Sequence, residues 1–131
     1  MLFNNFYRNK KVILTGHTGF KGTWLLLWLI LMGAKVTGIS SKEEVNHKHF
    51  KYIYKKISKK FNHYLFNINN QSKIYKIIKI TNPDIIIHMA AQAIVSKSID
   101  RPDINFKTNI FGTINILEAL RKLNKKCTVL I

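Results

Sequence analysis

Short runs of β-branched residues alternate with longer helical patterns along the chain, and this alternation limits the possible folds more than any other feature. Strands are predicted at residues 11–15, 35–39, 64–68, 84–88 and 127–131. Helices are predicted at residues 20–32, 72–80 and 102–123. Strands and helices that alternate in this way form βαβ units with parallel strands and right-handed crossovers. The sequence therefore predicts one α/β domain, residues 1–131, built on a five-stranded parallel sheet.

Local patterns add detail to this sheet. The run at 84–88 (DIIIH) is continuously apolar, as in a parallel strand covered on both faces. The helix at 20–32 is apolar nearly all round, which predicts burial on more than one side and places Trp24 and Trp28 in the core. The helix at 102–123 carries an apolar stripe formed by Ile110, Ile114, Leu117 and Leu120.

Two segments are less regular. Residues 40–60 are polar and rich in lysine, and part of this segment is open to a helical interpretation. Residues 89–101 are predicted as a loop with short helical turns. Neither segment carries a repeat or a linker composition, so the single-domain prediction stands.

The net charge of +16, from 22 Lys and Arg against 6 Asp and Glu, raises the question of an anionic partner. The same composition offers a plainer cause, because Ile, Lys and Asn together fill 52 of 131 positions and all three have A/T-rich codons. The lysines also do not cluster with aromatic residues on one predicted element. We therefore expect no nucleic-acid partner. The single cysteine excludes a disulfide framework.

The longest apolar run, at residues 24–32, bears on membrane insertion. Extended to residue 34 it is still about half of what a helix needs to cross the hydrocarbon core. It also follows a strand and a glycine-rich turn, which favours a buried helix over a signal peptide. We expect no membrane partner and a cytoplasmic location.

The motif most directly tied to chemistry is the heptapeptide GHTGFKG at residues 16–22, between the first strand and the first helix. Glycines at 16, 19 and 22 allow a tight turn and close approach of a pyrophosphate, which the helix N-terminus then stabilises. A mononucleotide P-loop needs Gly-Lys-Ser/Thr at its end, whereas this turn ends Lys21-Gly22-Thr23. The motif therefore favours a dinucleotide over ATP or GTP.

The end of the second strand leaves the choice between NAD and NADP open. An NAD site usually has an acidic residue there for the ribose hydroxyls. This chain has Ser40, Ser41 and Lys42, and Glu43 and Glu44 follow slightly later. Ser40 is a candidate hydrogen-bond partner of a ribose, while Lys42 suits a 2′-phosphate.

Three blocks, at residues 6–24, 88–92 and 98–119, resemble in order and spacing the extended short-chain dehydrogenase/reductase family of NAD-dependent epimerases and dehydratases. The HTGFKG core followed by Trp24 is most similar to the CDP-glucose 4,6-dehydratase branch. The resemblance implies a Rossmann-like doubly wound parallel sheet, of which this chain would hold the N-terminal five-strand portion. It also implies a reaction in which NAD takes a hydride from C4 of a nucleotide-linked glucose, water leaves across C5–C6, and the hydride returns to C6.

The resemblance also assigns residues to the NAD site. Those implied to bind the cofactor are Gly16, Thr18, Gly19, Phe20, Gly22, Asn67, Ile68, Ala90, Ala91, Gln92 and Thr108. Asn109 would support the site from the helix at 102–123. Asn67 departs from the family, which has an aspartate beside the adenine, so the interaction there would lose its charge.

The family's reactive Tyr-x-x-x-Lys pair follows the fifth strand, where this chain stops, and no catalytic residue is assigned here. The same spacing occurs by coincidence at Tyr7/Lys11, Tyr52/Lys56 and Tyr75/Lys79. The resemblance thus predicts a fragment that lacks dehydratase activity and the lobe for a nucleotide-sugar substrate. It also implies a homodimer through the helix at 102–123. The alternatives are a non-catalytic module that binds a dinucleotide or a partner, and a basic nucleic-acid binder.

The five histidines do not form a convincing metal site. His47 and His49 are two residues apart, without a nearby cysteine or a paired carboxylate. His88 closes a buried strand and is predicted to be a hydrogen-bonded structural residue.

Overall fold

The structure, a computed structural model, describes residues 2–42, 48–124 and 126–131. Its strands are β1 (Lys11–Thr15), β2 (Lys35–Ser40), β3 (Asn62–Leu65), β4 (Ile85–His88) and β5 (Thr128–Leu130). Its α-helices are α1 (Phe20–Leu31), α2 (Lys48–Ile57), α3 (Gln71–Thr81), α4 (Val95–Asp100), α5 (Pro102–Phe106) and α6 (Gly112–Leu123). A π-helical turn at Lys107–Phe111 joins α5 to α6, and 3₁₀ segments occupy Leu2–Asn5 and Ser58–Lys60.

All strand pairs are parallel, and the sheet order is β3-β2-β1-β4-β5. The chain moves outward from β1 to β3 and then returns to the other side of β1 for β4. Connections therefore leave β1 and β4 in opposite directions, which opens a crevice at their carboxyl ends. The predicted five-stranded parallel α/β sheet is confirmed.

Two apolar layers cover the sheet, because successive side chains of a strand point to opposite faces. Val12 and Leu14 of β1 pack against α1 and α2, while Ile13 packs against α3 and α6. All four residues of β4 are buried, as the DIIIH run predicted. The segment at 40–60 that the sequence left open contains α2, whose buried residues are Phe50, Ile53 and Ile57.

The prediction that α1 is buried on more than one side is wrong. Its buried residues all lie on one face, at Gly22, Thr23, Leu26 and Leu29. Trp24 and Trp28 are instead 44% and 60% exposed, so they are not core residues. The helix covers one side of the sheet, and the described residues leave the apolar side chains on its outer face exposed.

The third strand lies earlier than predicted, at Asn62–Leu65 rather than at 64–68. Local hydrogen bonds explain where it ends. The Asn67 side chain accepts a hydrogen bond from the Asn69 amide at 2.9 Å, and Asn70 caps α3 by accepting from the Lys73 amide at 3.0 Å. These asparagine turns compete with extension of the ladder.

The helix predicted at 102–123 is present but interrupted by the π-helical turn, and most of its predicted stripe faces outward. Ile110, Ile114 and Leu117 are between 42% and 47% exposed, whereas Leu120 is buried. The face that packs against α3 uses small and polar residues among its apolar ones. A Cβ atom added at Gly112 would lie 2.7 Å from Ile68 Cγ2, so close approach selects glycine there. The buried residues of α6 are Gly112, Asn115, Ile116, Ala119 and Leu120.

Candidate dinucleotide-binding site

A cavity of about 420 Å³ lies at the carboxyl ends of the first four strands, where the sheet order predicts a ligand site. Its lining residues come from the loop after each strand and from the helices beyond β4. Those predicted from the sequence are Gly16, Gly19, Phe20, Gly22, Ser40, Asn67, Ile68, Ala90, Ala91, Gln92 and Thr108. Residues 43–47, which include Glu43, Glu44 and His47, lie outside the described residues.

The glycine-rich turn forms one wall, and its shape depends on missing side chains. Gly16 has a φ of +75°, and a Cβ there would meet the Met89 and Ala90 backbone at 2.9 Å. A Cβ at Gly22 would lie 2.1 Å from the Gly16 carbonyl oxygen. The turn therefore packs backbone against backbone, and this leaves an open cradle above it.

The cradle suits an anion. No side chain caps the first turn of α1 and no acidic residue lies in it, so its N–H groups and positive dipole end remain available. Lys21 adds a positive charge to the cavity wall, and none of the described residues that line the cavity is a carboxylate. Thr18 is fully buried rather than exposed to the cavity, and its hydroxyl has no hydrogen-bond partner among the described residues. These features fit the pyrophosphate of a dinucleotide.

A chain of directed hydrogen bonds holds the wall formed after β4. Thr15 Oγ1 accepts from the Met89 and Ala90 amides, both at 3.1 Å, and therefore donates its own proton to His88 Nδ1 at 2.7 Å. His88 Nε2 then donates to Thr113 Oγ1 at 3.0 Å, and Thr113 donates to the Asn109 carbonyl at 2.9 Å. The prediction that His88 is a hydrogen-bonded structural residue is confirmed.

This series of hydrogen bonds requires a neutral His88 with its proton on Nε2. Burial lowers the pKa of His88 below its usual value, in agreement with that state. A proton on Nδ1 would leave two donors facing each other, because both acceptor positions of the Thr15 hydroxyl are already used. The network thus ties β1, β4 and α6 together beside the cavity.

Asn109 lies in the π-helical turn and binds the loop after β4 from the other side. Its Oδ1 accepts from the Gln92 amide at 2.8 Å, and its Nδ2 donates to the Gln92 carbonyl at 3.4 Å. Its Nδ2 also donates to Asn105 Oδ1. Asn109 therefore holds Gln92 in place and does not line the cavity itself.

The predicted adenine end of the cavity contains Asn67 and Ile68. The Asn67 oxygen accepts from the Asn69 amide, which orients the side chain at this end of the cavity. Ile68 is buried, and its carbonyl accepts from Asn115 Nδ2 at 3.1 Å. An aspartate at 67 would bring a negative charge here; asparagine leaves this end neutral.

Several residues that shape the site escaped the sequence analysis. Thr15 binds partners more than 70 positions away, and no local pattern signals such a pairing. Thr23 Oγ1 lies 2.8 Å from the Gly19 carbonyl oxygen and 3.2 Å from the His17 carbonyl oxygen. Its single proton is shared between these two acceptors. Buried His17 and half-buried His63 form a hydrogen-bonded pair that sequence spacing did not indicate.

The coincidental Tyr-x-x-x-Lys pairs remain outside the cavity lining. In one of them, on α2, Lys56 Nζ donates to Tyr52 Oη at 2.8 Å and lowers the pKa of that phenol. Tyr52 is exposed and contributes to an apolar groove between α1 and α2. Over the described ranges, no three His, Cys, Asp or Glu side chains are grouped so that they could hold a metal ion.

Among residues 2–42, 48–124 and 126–131, no helix combines the length and hydrophobicity needed to cross a bilayer.

The fold and this cavity define a Rossmann-like α/β domain with a glycine-rich turn at the switch point of its sheet. The chain belongs to the GDP-mannose 4,6 dehydratase family, whose sequence model matches residues 13–131. The resemblance stated from the three sequence blocks is thereby confirmed.

Individual relatives agree with this placement. The chain is 36% identical over 123 residues to the CDP-glucose 4,6-dehydratase of Salmonella typhimurium, covering 94% of this chain and 34% of that protein. It is 29% identical over 130 residues to the CDP-paratose 2-epimerase of Salmonella typhi, covering 92% and 35%. The chain thus spans about a third of the length of these curated relatives.

Solved structures show the same fold. UDP-glucose 4-epimerase of Thermotoga maritima, solved with UDP-glucose, superposes with a TM-score of 0.69 at 27% identity over 85% of this chain and 34% of that one. A UDP-glucose 4-epimerase of Stenotrophomonas maltophila, solved with bound NAD and a formylated UDP-arabinopyranose, has a TM-score of 0.76 at 22% identity over 88% and 34%.

Proposed function

We propose that this chain is the NAD-binding part of a nucleotide-sugar 4,6-dehydratase that converts CDP-glucose to CDP-4-keto-6-deoxyglucose. The observation that carries the proposal is the cavity built on the glycine cradle, whose lining contains the cofactor residues that the family resemblance implies, apart from Thr18. The 36% identity to a CDP-glucose 4,6-dehydratase supports the choice of substrate. Bound NAD supplies a hydride acceptor that can later return the hydride.

The residues of this chain would bind and orient the cofactor. The first turn of α1 and Lys21 would hold the pyrophosphate, and the Ser40 hydroxyl would meet the adjacent ribose. Ala90, Ala91 and Gln92 would form the wall along the nicotinamide, fixed from behind by Thr15 and Asn109. These three residues are uncharged, so the charge in the site would come from the cofactor and from Lys21.

Calorimetric titration of the 131-residue chain with NAD and with NADP tests cofactor binding. We expect saturable binding of NAD, and a Lys21→Glu variant should weaken it about tenfold because it removes one cation and adds an anion beside the pyrophosphate. Lys35→Glu is the matched control, since Lys35 is exposed at the opposite end of the sheet. Absence of saturable binding by folded wild-type chain would refute the proposal.

Activity is expected only when the rest of the enzyme is present. The purified chain should bind NAD but yield no 4-keto sugar from CDP-glucose, because it lacks the family's Tyr-x-x-x-Lys pair after β5. A nucleotide-sugar enzyme acts where activated sugars are made, so we place the protein in the cytoplasm. Turnover of CDP-glucose by this chain would contradict the assignment of the missing residues.

We further propose that a second copy of the chain covers the outward face of the helix at 102–123. Ile110, Phe111, Ile114 and Leu117 are exposed there. A helix face of this kind can pack against its own symmetry mate about a two-fold axis, which buries the same residues twice. The glutamate and arginine on the same helix, Glu118 and Arg121, pair with each other within one chain.

A further inference from the structure

A pair of histidines, one buried and one half-buried, lies directly behind the glycine-rich turn. His17 is fully buried, and its Nε2 lies 2.8 Å from Nδ1 of His63. Its other ring nitrogen, Nδ1, lies 3.0 Å from Oγ of Ser40, which lines the cavity. The imidazole rings therefore connect the cavity wall to β3, on the side of the sheet away from α3.

The fit around His17 is specific to an imidazole. A Cβ at Gly38 would lie 2.6 Å from His17 Cγ, so β2 carries glycine where the ring crosses it. The rings of Phe50 and Phe61 contact His17 edge-on. Because both ring nitrogens have polar partners, His17 contributes hydrogen bonds as well as packing.

The direction of the hydrogen bonds decides what Ser40 can do. Ser40 Oγ already accepts from the Thr18 amide at 3.3 Å. If its proton goes to His17 Nδ1, the hydroxyl has no donor left for a ligand. If His17 Nδ1 carries the proton, Ser40 accepts from it and is free to donate into the cavity. In that second arrangement His17 Nε2 must accept from His63 Nδ1.

We propose that His17 and His63 act as positioning residues that hold the Ser40 hydroxyl as a hydrogen-bond donor toward the bound dinucleotide, and that a proton on His63 strengthens this arrangement. The proposal rests on the proposed function, because it assumes a dinucleotide beside Ser40. The nearest ligand oxygens, on a ribose or a phosphate, accept hydrogen bonds, so a donor at this position stabilises the complex.

The protonation state of His63 matters because of tautomer preference. A neutral His63 must place its only proton on Nδ1 to support the donor arrangement, whereas a charged His63 carries protons on both nitrogens and always donates to His17. Tyr54 of α2 is the other titratable side chain that contacts the pair in the described structure, and its ring lies against His63. Burial lowers the pKa of both histidines, so they are neutral at pH 7 before the cofactor binds.

Nitrogen-15 NMR of the imidazoles tests the proposal directly. In chain saturated with NAD, His17 should show its proton on Nδ1, and His63 should titrate at a higher pH than in the free chain. A His17 that keeps its proton on Nε2 in the saturated complex would overturn the proposal. This readout needs no enzymatic activity.

Binding measurements at two pH values give an independent test. The affinity of wild-type chain for NAD should be about threefold higher at pH 6 than at pH 8, which corresponds to a small bias between tautomers. His63→Gln keeps an amide donor without titrating, so its affinity should be the same at both values. His63→Ala should bind about fivefold more weakly at both, because no donor then holds His17 in the tautomer that carries its proton on Nδ1.

The control variant is Tyr54→Phe, which keeps the ring beside His63 and removes only the hydroxyl. It should retain the wild-type pH dependence. Equal pH dependence in wild type and His63→Gln would refute the positioning role even if NAD binds well. Failure of folded wild-type chain to bind NAD at either pH would instead refute the proposed function, so the two failures are distinguishable.

Discussion

At the residue scale, the site depends on atoms that are absent from the glycine-rich turn. Gly16 and Gly22 face backbone atoms at distances that no β-carbon tolerates, whereas Gly19 has an extended φ of −69° and more room. The three glycines look equivalent in the sequence, but their surroundings leave different amounts of space for a β-carbon.

This difference predicts unequal costs of substitution. Gly22→Ala would bring a methyl group to 2.1 Å from the Gly16 carbonyl oxygen, and we expect a loss of about 3 kcal/mol in the free energy of unfolding. Gly19→Ala, with 3.3 Å to the same oxygen, should cost about 1 kcal/mol or less. Urea denaturation measures both, and equal losses would contradict the geometry described here.

The buried histidines predict how stability depends on pH. Desolvation, followed by the charge of His63, lowers the pKa of His17 from 6.5 to about 4, and burial also lowers those of His63 and His88. These histidines therefore bind protons at a higher pH in the unfolded chain than in the folded chain. The contribution of these neutral histidines to the free energy of unfolding is fully present above pH 6.5 and is lost as the pH falls toward 4. His17 accounts for about 3 kcal/mol of that contribution.

Urea midpoints at pH 7.5 and pH 4.5 check this expectation, and the midpoint should be clearly lower in acid. His17→Gln should flatten the dependence, since glutamine does not titrate. A free energy of unfolding that is constant between these pH values would show that the histidines are not neutral in the folded chain.

At the element scale, periodicity located the strands and helices. It failed where side-chain hydrogen bonds determine the end of a strand or where small residues form the buried face of a helix. β1 and β4 are continuous apolar runs and were found within one residue. β3 was displaced because asparagine turns end it early. The buried face of α6 was misassigned because it is formed by Gly112, Asn115, Ile116, Ala119 and Leu120, of which only Leu120 belongs to the predicted stripe.

The same limit applies to the candidate site. The glycine turn follows from spacing, and the predicted cavity residues follow from a family resemblance that covers nearly the whole chain. The hydrogen bonds from Thr15 to His88 and from His88 to Thr113 join residues that are 73 and 25 positions apart. Only the folded sheet brings these residues together.

The N-terminus of α3 offers a test of one capping interaction. Asn70 accepts from the Lys73 amide, and Asn70→Ala removes that bond, which should cost about 1 kcal/mol in the free energy of unfolding. Asn70→Asp should be at least as stable as wild type, because it keeps the acceptor and adds a charge that suits the helix dipole. A neutral effect of Asn70→Ala on the urea midpoint would contradict this role.

At the scale of the whole molecule, the described structure leaves much apolar surface in contact with water. β5 pairs with β4 alone and forms one edge of the sheet, and Leu130 at its end is 61% exposed. The outer faces of α1 and α6 add further exposed side chains. An uncovered surface of this size favours self-association over a stable monomer.

Charge placed on the proposed contact face should therefore weaken association. Ile114→Lys is expected to shift the chain toward the monomer, with at least a tenfold rise in the dissociation constant for the loss of about 1.4 kcal/mol. Sedimentation velocity measures this, and Ile80→Lys, at a more exposed isoleucine on α3, is the matched control. An unchanged dimer in Ile114→Lys would place the contact elsewhere.

The π-helical turn at Lys107–Phe111 has a consequence for how this protein tolerates changes in length. Such a turn holds one residue more than the α-helical path it interrupts. Removing a single residue from it would restore regular α-helical winding while α5 and α6 keep nearly the same relative orientation, because the extra residue is accommodated within the turn. The approach of Gly112 to Ile68 would then survive, and the damage would depend on whether Asn109 still faces Gln92. We therefore expect a one-residue deletion that spares Asn109 to be far less damaging than one that removes it.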